Sequence, residues 1–270
     1  MKLQVTLTPS EGKRLIGKAI AGMEVIQDAL KDGTIVIATS TTTGYVVEEL
    51  LGEEIADKGM FTAGVITGKA ACITDPEGRH LNRVITKGKV REAAAKDLPK
   101  LLAKMGPSDI FVKGANAVDP FGQAGILLGG EGGGTMGKVW GHITANGVTA
   151  IFAVGLEKLV PVSLADVAPK TGIEAVDSSL GMAVGMMVVG GVVVTEMEAF
   201  RLLVGVEAYP IAGGGISGGE GSRTFLLEGE EEEVKAAYNL VCSIKGEPPL
   251  TTKVQSCGAC DKKCLYREGT

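Results

Sequence analysis

The stretch Thr34-Ile35-Val36-Ile37-Ala38-Thr39-Ser40-Thr41-Thr42-Thr43-Gly44 decides the reading of this chain. Its first five residues form a short apolar run without the alternation of a half-exposed strand, so they read as a strand buried on both faces. Five hydroxyl side chains follow, Thr39 to Thr43, and a helix begins at Tyr45 and runs to Leu51. Upstream, Leu15, Ile16, Ala19, Ile20, Met23, Ile26 and Leu30 share one broad helical face, with Ser10 as N-cap and Lys31-Asp32-Gly33 as the stop. Helix, buried strand, loop, helix is the unit of an α/β fold. Hydroxyls at a strand's C-terminal end, beside a helix N-terminus, offer donors and positive potential to an anion. Ser40, Thr41, Thr42 and Thr43 are therefore candidate ligand-binding residues.

The pattern continues downstream. Strands are expected over 61–66, 71–74, 109–114, 125–128, 148–154 and 159–164, with a turn at Asp75-Pro76-Glu77-Gly78 and a helix over 90–105. Apolar strands alternating with helices imply a mostly parallel, Rossmann-like sheet with helices on both faces. The run Ile126-Leu127-Leu128 leads into Gly129-Gly130-Glu131-Gly132-Gly133-Gly134-Thr135-Met136-Gly137-Lys138-Val139-Trp140. A loop with so little side-chain bulk lets backbone N–H groups approach an anion. Gly132, Gly133 and Gly134 are candidate ligand-binding residues, and Lys138 supplies a point charge. Glu131 is a candidate nucleophile or base. His142 reads as structural.

Beyond residue 166 the order becomes strand 190–195, helix 196–203, strands 206–211 and 223–228, and helix 230–244. That β-α-β-β-α order belongs to a smaller ferredoxin-like α+β domain. Its middle strands are joined by a second glycine-rich loop, Gly213 to Gly221, where Glu220 and Arg223 are placed to close over a site. The expected organisation is an α/β domain over 1–165, a ferredoxin-like lid over 166–246, and a linker with a cysteine-bearing tail over 247–270.

The chain has 270 residues, 45% of them hydrophobic, and a net charge of −5, with no dense basic stripe, so nucleic acid is not the expected partner. The glycine-interrupted apolar stretch 180–195 is short for a membrane span. The first residues lack the basic and apolar regions of a secretory signal. A cytoplasmic location is the expectation. Five cysteines and their spacing argue against a disulfide framework. Cys72 and Cys242 stand alone and read as core residues. Cys257, Cys260 and Cys264 follow C-x2-C-x3-C spacing, which suits one metal centre: a 4Fe–4S cluster with one iron open, or zinc with a fourth donor.

Four stretches together carry a family resemblance. They are Lys31–Thr43 with Val46–Leu50, Asp109–Asp119, the glycine run near 130, and Leu159–Ser163. Over about residues 10–165 the chain resembles the superfamily of ribose-5-phosphate isomerase, glucosamine-6-phosphate deaminase, CoA-transferases and the sugar-sensing domains of DeoR-type repressors. The resemblance implies a phosphate loop at Thr39–Thr43, Asn116 in ligand contact, a small lid domain and a homodimer. The chain departs from the isomerase pattern where catalytic acids belong: Lys113, Asn116 and Ala117 stand there, and Gly137–His142 holds no carboxylate. The expected function is binding of a small anionic metabolite, phosphorylated or carboxylated, by an isomerase- or transferase-type enzyme without the usual acids. The alternatives are a non-catalytic metabolite sensor and an iron–sulfur enzyme that uses the cysteine tail.

Overall fold

The computed structural model describes residues 1–268. At its centre lies a six-stranded sheet in the order Val192–Val194, Thr149–Ala153, Ile110–Gly114, Thr34–Ile37, Asn82–Thr86, Lys89–Ala93. The first four strands are parallel. The last two form a hairpin that pairs antiparallel with Thr34–Ile37. Ile35, Val36, Ile37, Phe111, Val112, Ile151 and Phe152 are fully buried. Consecutive buried residues mean that both faces of the strands are covered, as the apolar runs require. The helix Pro9–Gly22 packs on the helices Thr43–Leu51 and Glu196–Val204. Trp140, on the helix Gly134–Asn146, meets Phe152 with ring centroids 6.1 Å apart. The class is mixed α/β with a mostly parallel main sheet.

Several elements differ from the expectation. Residues 90–105 do not form one helix. Lys87 and Gly88 both have positive φ, 48° and 74°, the geometry of a two-residue hairpin turn. Lys89–Ala93 is therefore a strand, followed by a 3-10 turn at Ala95–Asp97 and a short α-helix, Leu98–Leu102, with Pro99 in its first turn. The helix expected over 10–30 is two helices, Pro9–Gly22 and Glu24–Asp32, because Met23 between them is extended. Thr8, not Ser10, is the N-cap: its hydroxyl accepts the Glu11 N–H, and the Glu11 carboxylate accepts the Thr8 N–H at 2.9 Å. Leu159 makes one isolated bridge to Val118 and does not begin a strand.

The lid expected over 166–246 is also divided differently. Val192–Val194 joins the main sheet beside Thr149–Ala153. The three-stranded antiparallel sheet is instead Lys2–Leu7, Ser222–Glu228 and Glu207–Gly214 in that order. The N-terminal strand alternates, turns Val5 and Leu7 inward, and pairs in unbroken register from Lys2↔Glu228 to Leu7↔Arg223. Each of the two expected domains thus completes the other's sheet. A further sheet places Ala124–Leu128 between Ala117–Val118 and Gly185–Val189, antiparallel to both. The glycine run near 130 therefore leaves an antiparallel strand and not one of the parallel strands.

Candidate functional site at the ends of the parallel strands

In open parallel sheets, ligands bind outside the carboxyl ends of the strands. Here those ends are charged. Lys113 is next to last in Ile110–Gly114. Glu157 and Lys158 lie in the turn that follows Thr149–Ala153. Glu196 opens the helix after Val192–Val194. Thr39 follows Thr34–Ile37. Lys13 enters from the helix Pro9–Gly22, its Nζ 2.5 Å from Glu157 Oε1 and 3.2 Å from the Pro9 carbonyl. Lys158 donates to the Ala115 carbonyl at 3.0 Å and Lys113 to the Thr39 carbonyl at 3.1 Å. Glu196 Oε2 accepts the Leu156 N–H at 2.8 Å, and Arg223 Nε donates to the Leu156 carbonyl at 3.0 Å.

Two glycines make this crowding possible. A Cβ on Gly155 would collide with Glu157 Oε2 and lie 2.9 Å from Glu196 Oε1. A Cβ on Gly12 would collide with the same Glu196 oxygen. The two carboxylates therefore share one small volume, which a side chain at either glycine would fill. Gly221, at φ +83°, ends the second glycine-rich loop directly above: a Cβ there would lie 3.1 Å from Pro9 Cγ and 3.7 Å from Glu157 Cβ.

The cluster is nearly closed to solvent. The side chains of Lys13 and Glu157 are 7% and 13% exposed, and Glu196 is buried. Burial raises the Glu196 carboxyl to about 7, and the neighbouring Glu157 charge adds to the rise. Burial pushes Glu157 the same way, but Lys13 and Lys158 prevail and hold it below its ordinary value. Lys113 is lowered to about 8 by burial and by Lys158. Lys158 is lowered to about 8 by burial, only partly offset by Glu157. Glu157 Oε2 is buried without a hydrogen-bond partner, as is Thr42 Oγ1 in the adjoining loop. Such orphaned oxygens are uncommon and costly in a folded interior. The site therefore offers four cationic groups, Lys13, Lys113, Lys158 and Arg223, one carboxylate held ionised and one that titrates at about 7.

The residues expected from sequence fall out unevenly. Ser40 Oγ and Thr43 Oγ1 lie 2.9 Å apart; Ser40 Oγ accepts the Thr43 N–H, and Thr43 Oγ1 donates to the Ala38 carbonyl at 2.7 Å. Both are spent on closing their own loop, with Ser40 packed into the space that Gly114 leaves open. Thr41 is half-buried and Thr42 fully buried. Asn116 Oδ1 accepts the Leu127 N–H at 3.0 Å, which fixes a hairpin. Asp119 accepts the N–H groups of Phe121, Gln123 and Leu164, which makes it a turn residue. Gly132, Gly133 and Gly134 all have positive φ, a conformation glycine permits. Glu131 and Lys138 are exposed. Among the described residues no hydrogen bond joins this loop to Thr39–Thr43.

Sequence reasoning missed Lys13, Glu157, Lys158 and Glu196. A signal was available: Glu157-Lys158 and Glu196 each come within five residues of the end of an apolar strand. The cysteines of the tail lie at a different place, against Cys72. Among the described residues no three His, Cys, Asp or Glu side chains are disposed to hold a single metal ion, and no helix is long and apolar enough to cross a membrane. Comparison with protein-family models and with curated proteins finds no match.

Proposed function

We propose that this chain binds a small anionic metabolite, a phosphate or carboxylate that also carries a carbonyl, over the ends of the four parallel strands and moves a proton on it. The observation behind this reading is the pairing of Glu157 and Glu196 in one volume with opposite displacements of their pKa values. A pair of carboxyls pushed apart in this way divides into base and acid. Lys113 and Lys158, charged below about pH 8, hold the anion. An anion that draws Lys13 away from Glu157 frees that carboxylate to take the proton beside the carbonyl. Glu196 gives a proton to the carbonyl oxygen. The acids absent from Lys113–Ala117 are supplied from two other strand ends, which keeps the isomerase-type reading open. The unpartnered Glu157 oxygen is the acceptor that such chemistry needs.

The test uses the full chain and a panel of sugar phosphates and 2-oxo acids. A ligand specific to the native state raises the melting temperature. Proton transfer appears by NMR as loss of the hydrogen beside the carbonyl in deuterated water. Glu157→Gln is expected to keep the thermal shift and lose the exchange, and Lys158→Met to lose the shift. Unchanged exchange in Glu157→Gln would remove the base assignment. No shift with any anion of the panel would remove the binding site.

A further inference from the structure

The tail cysteines are held in place by a backbone framework. The strand Ala71–Ile73 pairs on one edge with Gly64–Ile66 and takes two segments distant in sequence on the other: Gln255 N–H donates to the Ile73 carbonyl at 2.9 Å, and Met182 N–H donates to the Ala71 carbonyl at 2.8 Å. Thr74 and Val254 form an antiparallel bridge. Leu265 N–H donates to the Ser179 carbonyl at 2.9 Å, which fastens the far end of the cysteine segment. The result is a cavity of about 30 Å³ lined by Cys72, Cys257, Cys260 and Cys264, together with Lys69 and Met182. Cys72 reads from sequence as a solitary core residue; here it supplies a fourth thiol to the C-x2-C-x3-C trio.

Two contacts address the sulfurs directly. Gly181 N–H donates to Cys264 Sγ at 3.2 Å, and Lys69 Nζ lies 3.0 Å from Cys257 Sγ. Backbone N–H···S bonds and a nearby cation stabilise thiolates, and both tune iron–sulfur centres. Gly181 reaches this position at φ +97°, where a Cβ would stand 2.7 Å from Ala70 Cβ. The four thiols surround a void and are not disposed around one point. A single zinc ion draws its four sulfurs onto one centre at about 2.3 Å each; a cluster with an iron for each thiol suits donors spread around a space.

We propose that Cys72, Cys257, Cys260 and Cys264 together ligate one 4Fe–4S cluster. The site is separate from the strand-end cluster and stands or falls without it. The test supplies a preformed 4Fe–4S cluster carrying four small thiolate ligands to the full, reduced chain without oxygen. Loading is ligand exchange: four bonds from iron to the small thiolates break, four bonds from iron to Sγ form, and the cysteine protons leave on the departing thiols. No electron is transferred. Expected are about four irons and four sulfides per chain, with Cys72, Cys257, Cys260 and Cys264 protected from alkylation while the exposed Cys242 reacts as before. Cys72→Ser is expected to lose the four-iron content and Cys242→Ser to keep it.

Three results would overturn the proposal: no uptake of iron and sulfide, wild-type loading by Cys72→Ser, or a reactive Cys72 in the loaded wild type. One zinc per chain that protects all four thiols and blocks cluster uptake would overturn it as well. The alkylation measurement needs only the wild type, so it decides the matter even where Cys72→Ser fails to fold.

Discussion

Lys13 and Arg14 are neighbours on one helix, yet they enter two charged clusters of opposite character. Arg14 meets Glu48 at 2.6 Å, Glu49 at 3.0 Å and Glu247 at 2.9 Å, and its guanidinium stands 4.7 Å over the Tyr45 ring. Glu48 also accepts the Ile55 N–H at 2.8 Å and faces Lys58 at 3.0 Å. Burial works against charge here, but the bonds from Ile55, Lys58 and Arg14 hold the Glu48 carboxyl below its usual range. The bonds to Glu247 and Glu48 hold Arg14 above its own. Around Lys13 the balance is different. Lys113 and Lys158 are depressed, Glu196 is raised, and a Glu157 oxygen has no partner. The first cluster pairs its charges and ties helices together, although the Tyr45 hydroxyl within it is buried without a partner. The second keeps charges where folding alone gains little from them, a pattern found where a site trades stability for chemistry.

That contrast gives opposite signs to mutation. Arg14→Met removes the cation that Glu48 and Glu247, with side chains 7% and 13% exposed, share at hydrogen-bond distance. The expected loss is about 3–5 kcal/mol in urea unfolding; a loss below about 1 kcal/mol would erase the distinction. Glu196→Gln is expected to stabilise, and only at higher pH. Below about pH 4.5 the group is protonated in both states and the substitution gains nothing. As pH rises toward 7 the unfolded chain ionises while the folded one keeps its proton, so native stability falls. Above pH 7 the glutamine variant should be more stable by about 3 kcal/mol. Lys113→Met is expected to gain about 2 kcal/mol at pH 7. This lysine is depressed to about 8, so its penalty is full below pH 8 and fades as pH climbs toward 10.5. A gain that persists undiminished at pH 10.5 would point to packing rather than charge.

Much of the main sheet was legible because its strands are short apolar runs punctuated by loops. The lid was not, because the partner of Ser222–Glu228 is Lys2–Leu7 at the other end of the chain, and local periodicity carries no information about such pairing. The site was hidden for a related reason. Glu157 and Glu196 become neighbours only once Val192–Val194 is laid beside Thr149–Ala153, a strand order that the sequence does not state. Gly155 and Gly12 looked like ordinary glycines, although their lack of a Cβ makes room for both carboxylates. Ser40 and Thr43 were visible as hydroxyls, but hydroxyls serve equally well to close a local turn, and here they bond to each other and to the Ala38 carbonyl. Cys72 looked solitary because the cysteines that line a cavity with it lie far away in the tail.

The smallest expected effect tests whether the two clusters are independent although they share a helix. Thr8→Ala removes one bond, from the hydroxyl to the Glu11 N–H, at a cost of about 1 kcal/mol. It leaves the Glu11 carboxylate bound to the Thr8 N–H, to Lys245 at 2.8 Å and to the Gly246 N–H at 3.0 Å. The approach to Glu247, and with it the Arg14 network, is therefore preserved. The first helical turn also belongs to the other cluster: Lys13 donates to the Pro9 carbonyl, Gly221 rests against Pro9, and Gly12 faces Glu196. Loosening that turn lets water reach Glu196 and relieves its penalty. In double-mutant cycles above pH 7, Thr8→Ala should add to Arg14→Met within about 0.5 kcal/mol and should deviate from additivity with Glu196→Gln by more than that. The reverse pattern would mean that the helix transmits strain to the paired cluster first, and the separation of a structural from a functional charge cluster would then fail at its shared mount.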